Sequence, residues 1–80
     1  MMTLDLLSPF KKISKDVAWV EIDTVVGNFV IEPEHAPMIL TLAKNSNVSF
    51  GLATGKQEKI KVNSGIVHIK RDSVTVLGDM

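Results

Sequence analysis

Cysteine is missing from all 80 residues of the chain. That absence removes a disulfide framework and most structural zinc arrangements, the two usual staples of a small domain. A chain of this length makes one domain, residues 1–80, and buries only about 60% of the surface its unfolded form would expose. A partner is therefore the expected source of extra stability. A surplus of either charge is missing as well, with nine basic residues against nine acidic ones. Such a balance offers no strong field to a phosphate backbone and disfavours nucleic acid. Long apolar runs are equally scarce: "FVI" and "MILTLA" fall far short of the roughly 20 residues that a membrane helix needs. The opening "MMTLDLL" has no basic segment leading into a long apolar one. The chain reads as soluble, without an export signal and without direct membrane insertion.

What is present is a period of two. Ile60 and Val62 alternate with Lys59, Lys61 and Asn63, and Val48, Phe50 and Leu52 alternate with Ser49, Gly51 and Ala53, the pattern of strands with one wet face. Ala18, Val20 and Ile22 alternate with Trp19, Glu21 and Asp23, and Val74 and Val76 with Ser73, Thr75 and Leu77. Met38, Leu40 and Leu42 follow the same logic, with a short helix as the other reading of that segment. In "GIVHIK" Ile66 opposes Val67 and Ile69.

Turn formers punctuate these runs at Ser8-Pro9, Gly27-Asn28, Pro33 to Pro37, Asn45 to Asn47, Gly55-Lys56, Ser64-Gly65 and Arg71-Asp72. In "ATGKQ", Gly55 is expected to supply a positive φ for a hairpin. No long amphipathic helical pattern with caps occurs. The expectation is an all-β fold, a small antiparallel β-sandwich of about eight to ten short strands.

The acids and histidine of "IEPEHAPMI" invite a metal or acid/base reading through Glu32, Glu34 and His35. Extended backbone points Glu32 and Glu34 one way and His35 the other, and Pro33 and Pro37 fix direction, so a proline-shaped corner is favoured over a ligand cluster. No serine stands in a nucleophile elbow. "ATGKQEK" lacks the early glycine and the Ser or Thr of a phosphate loop. Catalytic, cofactor and metal residues are accordingly expected to be none.

Two apolar features need another explanation. Trp19, the single tryptophan, alternates with acids; it marks an interface or covers a gap at the edge of the sandwich. Val25, Val26 and Phe29 surround Gly27-Asn28, where a polar turn is the norm. They either meet a partner or close one end of the sandwich.

Three segments in order, "LDLLS", "GNFVIEPEHAPMI" and "VNSGIVHIKRDSVTVLGD", resemble the N-terminal β-sandwich domain of the epsilon subunit of F-type ATP synthases. Most specific are Pro33, His35, Ala36 and Pro37, and the run Val74 to Leu77 followed by Gly78-Asp79. The resemblance implies a non-catalytic central-stalk rotor subunit that couples the gamma shaft to the ring of c subunits. It implies Val26, Gly27, Asn28 and Phe29 as the ring-side contact, and His35, Ala36 and Pro37 as the gamma-side contact. Trp19 is a further candidate contact from alternation alone. The implied location is the cytoplasmic face of a bacterial inner membrane, within a peripheral complex.

The chain departs from that family in four respects. The family's acidic, glycine-rich Glu-Gly-Glu-Phe-Gly-Ile becomes Val26 to Ile31, and its Pro-Gly-His becomes Pro33-Glu34-His35. A double glycine becomes Ser64-Gly65. The family's C-terminal helical domain has no counterpart before Met80, so the sequence is read as a short form, a truncation being the other reading. The competing functional class is a free-standing small-molecule or metal-binding β-sandwich built around the Glu32 to His35 corner.

Overall fold

The computed structural model describes residues 1–80. Its eight strands are β1 (Met2–Ser8), β2 (Lys11–Thr24), β3 (Gly27–Ile31), β4 (Met38–Thr41), β5 (Ser46–Leu52), β6 (Gln57–Val62), β7 (Ser64–Ile69) and β8 (Ser73–Asp79). They run in the order β4-β7-β8-β1-β2-β5-β6, with β3 also paired to β2. All pairs are antiparallel except β1 with β8, which run parallel. That pair is the one departure from the expected antiparallel sandwich. It arises because the first and last strands lie side by side, and a long-range pairing is free of the hairpin constraint that forces neighbours to be antiparallel. The Met38 segment is a strand and not a helix.

The long β2 belongs to both layers. Lys11 to Val17 pair with β1, while Val17 to Glu21 pair with β5 and Val20 to Thr24 with β3. The crossing falls at a β-bulge: Val17 faces Leu52 and Trp19 faces Gly51, so Ala18 is the extra residue. The bulge corrects the predicted alternation. Val17, Val20 and Ile22 all reach the core, and Ala18 is pushed to the outer side because one inserted residue reverses the phase of the strand.

Fifteen buried apolar side chains fill the space between the layers. Met2, Leu4, Leu6, Val67, Ile69, Val74 and Val76 come from one layer, and Val20, Ile22, Ile31, Val48, Phe50 and Val62 from the other, with Val17 at the crossing and Leu42 just after β4, bridged to Thr24. Phe50 is the largest of those with no exposed surface. In "GIVHIK" the alternation resolves in favour of Val67 and Ile69, leaving Ile66 outside.

Two of the expected turns sit elsewhere. The β2–β3 turn is Val25-Val26, and Gly27 opens β3 with φ +129°. Branched valines resist positive φ, so the step that L side chains avoid moves to the glycine beside them. The break between β6 and β7 is Asn63 alone. Its N–H donates to Asp79 and its carbonyl accepts from Asn45, so the chain passes between layers in one residue. Gly55 has the expected positive φ, +90°.

Candidate partner-docking site

Thr24 organises the β2–β3 tip. Its buried hydroxyl donates to the Gly27 carbonyl at 2.8 Å and accepts from the Val26 N–H at 3.2 Å. Asn28, opposite Asp23 in the ladder, donates to the Asp23 carboxylate at 2.9 Å and to the Ile22 carbonyl at 3.3 Å. Val25 N–H donates to Thr41, and Ala43 N–H to the Asp23 carbonyl. A turn held on all sides in this way presents Val25 and Val26 to solvent, 68% and 73% exposed. Gly27 and Asn28 are exposed as well, whereas Phe29 turns inward and packs against the core. The four predicted residues Val26 to Phe29 are thus contiguous, but their outward apolar surface comes from Val26 and its neighbour Val25.

The proline corner lies at the other end of β3. Glu34 adopts φ +67°, the left-handed region that favours glycine. Its N–H donates to the Arg71 carbonyl at 2.7 Å, and its carboxylate accepts from Arg71 Nη2 at 3.1 Å. The His35 N–H donates to Glu32, and its ring Nδ1 donates to the Ala36 carbonyl at 2.9 Å. Because a carbonyl only accepts, the proton must reside on Nδ1. The corner therefore does not assemble Glu32, Glu34 and His35 around a common point. Glu34 is turned to Arg71 and His35 to its own backbone. No three His, Cys, Asp or Glu side chains gather anywhere in the fold in a way that could hold a metal.

Trp19 lies outside the core, its indole packed over Gly51 of β5. A Cβ on Gly51 would fall 2.6 Å from indole Cε2 and closer still to Nε1, so the ring occupies the place that any other residue would fill. Ala18, Trp19, Val30 and Glu32 line an open groove of about 530 Å³ beside it. Glu21 shares that outer face, opposite Val30 on β3 and Ser49 on β5.

Sequence reasoning passed over Phe10. It sits in the β1–β2 turn after Pro9 and is 99% exposed. The signal was present, since an aromatic beside a predicted turn is as unusual as the valines of the β2–β3 tip.

The family model described as "ATP synthase, Delta/Epsilon chain, beta-sandwich domain" matches residues 1–80. The chain belongs to this family. It is 32% identical over 81 residues to the ATP synthase epsilon chain of Clostridium kluyveri, a match covering 100% of this chain and 61% of that protein. To the epsilon chain of Rhodopseudomonas palustris it is 31% identical over 77 residues, covering 95% of this chain and 56% of the relative. The chain thus spans about three-fifths of the length of these relatives. Among solved structures, a chain of the Euglena gracilis mitochondrial ATP synthase superposes with a TM-score of 0.89 at 21% identity, covering 99% of this chain and 51% of that one. A chain of the Tetrahymena thermophila mitochondrial enzyme superposes with a TM-score of 0.77 at 14% identity, covering 99% and 63%. At these identities the superpositions show the fold alone.

Proposed function

We propose that the chain is a non-catalytic rotor piece of an F-type ATP synthase, a sandwich that joins the gamma shaft to the ring of c subunits. The observation that carries this reading is the family match along the whole sandwich, residues 1–80. The fold supplies a physical reason for two partners. The Val25-Val26 tip and the His35 corner stand at opposite ends of β3, roughly 15 Å apart at about 3.3 Å per strand residue. One body can therefore be gripped at the tip by Val26, Gly27, Asn28 and Phe29 and at the corner by His35, Ala36 and Pro37. The two solved relatives come from assemblies named for their c-ring, one of them also for its central stalk.

In this role the chain performs no chemistry, and the catalytic sites belong to other subunits. Its location is at the membrane by assembly, on the cytoplasmic face of a bacterial inner membrane. No helix in the fold is long and apolar enough to cross a bilayer.

Co-expression with the gamma and c subunits encoded by the same genome tests the proposal. The expected result is co-purification of the chain with gamma and, through gamma and the tip, with the ring. Recovery of the chain alone, while a known epsilon sandwich is retained by its own gamma under the same conditions, would overturn it.

A further inference from the structure

Three strands, β4, β6 and β3, keep one edge without a neighbouring strand. An unpaired edge is a template for any extended chain, and native sheets guard it with brevity, proline or lysine. Two of the three are guarded. β4 has four residues and follows Pro37, and β6 carries the exposed Lys59 and Lys61. β3 reads Gly27, Asn28, Phe29, Val30 and Ile31, with neither proline nor charge.

The ladder shows which backbone groups of β3 are free. The Asp23 carbonyl and the Val25 N–H are engaged by Ala43 and Thr41. Backbone groups alternate sides along a strand, so Ile22 and Thr24 aim the opposite way, at their β3 partners Phe29 and Gly27. Asn28 and Val30 therefore direct N–H and carbonyl away from β2, two donor–acceptor pairs about 7 Å apart. No other backbone group meets them. The Val30 side chain is 53% exposed, and it forms one wall of the groove that Ala18, Trp19 and Glu32 complete.

We propose that β3 accepts an extended segment of a partner protein as an added strand, and that an arginine of that segment lies in the groove between the Trp19 indole and Glu32. Backbone hydrogen bonds to Asn28 and Val30 supply affinity, and the groove supplies selectivity. Charge selects the occupant. Residues 17–34 contain Glu21, Asp23, Glu32 and Glu34 and no base, in a chain of zero net charge, so a cationic strand is drawn to this edge. A guanidinium stacks on an indole while it pairs with a carboxylate. A second copy of the chain is a poorer occupant. Pairing β3 with β3 would bring the same acids together along strands of five residues, a contact well below the roughly 1,200 Å² of a stable interface. The edge is distinct from the contacts proposed for the tip and the corner, and the inference does not depend on the rotor reading.

The probe is a capped heptapeptide of alternating threonine and valine with arginine at its centre, titrated onto the full chain. Trp19 is the single tryptophan and the chain has no tyrosine, so intrinsic fluorescence reports the groove directly. The expected result is saturable binding with a change in Trp19 emission and slowed hydrogen exchange at the Val30 amide. Val30→Pro removes the free N–H, and proline is tolerated where an edge N–H faces solvent, so the fold should hold while affinity falls about tenfold or more. The same peptide N-methylated at arginine and both valines makes that test without altering the protein and should bind as poorly. Glu32→Lys, or glutamate in place of the peptide's arginine, should also weaken binding about tenfold. No binding at about 1 mM peptide, or equal binding of the N-methylated or glutamate peptide, would overturn the proposal. A wild-type dimer dissolved by Val30→Pro would give the edge to a second copy and overturn it as well. Co-purification with gamma and the ring is unaffected by any of these results, so the rotor reading stands or falls separately.

Discussion

Glu34 and Arg71 clasp the two turns at one end of the sandwich, backbone to backbone at 2.7 Å and side chain to side chain at 3.1 Å. The clasp gives the acid a partner at a position where the family pattern has glycine. A non-glycine residue at φ +67° costs roughly 1–2 kcal/mol, and the backbone hydrogen bond it makes is available to glycine as well. What glutamate adds is the ion pair, which is solvent-exposed on both sides and so contributes at most about 1 kcal/mol.

Glu34→Gly is therefore expected to leave stability unchanged or to raise it by up to about 1 kcal/mol, from the removed strain less the lost pair and the greater freedom of the unfolded chain. Arg71→Ala should cost under about 1 kcal/mol. Urea denaturation of both variants checks the pair of values. A loss well above 1 kcal/mol for Glu34→Gly would show that the clasp is worth more than its exposure implies.

Thr24→Val keeps the shape of a buried side chain but removes the hydroxyl that meets Val26 N–H and the Gly27 carbonyl. The expected loss is about 1–2 kcal/mol, with Thr24→Ser recovering most of it. Amide hydrogen exchange should accelerate at Val26 and less at the ladder positions of β5. Unchanged protection of Val26 would mean that the ladder alone holds the tip.

Gly51→Ala places a methyl group where the indole of Trp19 now lies. The ring must lift, at an expected cost of about 1–3 kcal/mol. With one tryptophan and no tyrosine in the chain, intrinsic fluorescence reports that ring alone, and its emission should move to longer wavelength. If Trp19 serves mainly as a cover, Trp19→Ala will lower thermal stability more than partner affinity. The reverse result assigns it to an interface.

Much of this architecture could be read from the residues. Period-two patterning located the strands, and it separated inside from outside wherever a strand stayed in one layer, as in Val48 and Phe50 or Val74 and Val76. It failed at Ala18, because a bulge is set by how two strands meet and leaves no local mark in composition. Gly27-Asn28 was placed two residues late as a turn, since valines outrank no one as turn formers and only the backbone shows that glycine took the unusual φ beside them. The proline corner was legible as a corner, yet the role of Glu34 was not. Its partner is 37 positions away, and no spacing rule reaches that far. The adjacency of Leu7, Ile66 and Leu77 remained hidden for the same reason: they become neighbours only through the register of three strands.

Strand β2 begins beside Phe10 and ends beside Val25, so the turn that exposes the aromatic and the tip proposed for the ring terminate one uninterrupted run of covalent bonds. Where it flanks β1, β3 and β5 it is held by ladder hydrogen bonds along its sides. A pull between the two ends loads these bonds together, in parallel, and does not open them one after another from a free edge. A pull between the two turns would thus run along a backbone braced by β1 over its first half and by β3 and β5 over its second, and β2 would act as a tie rod with a core for stiffening.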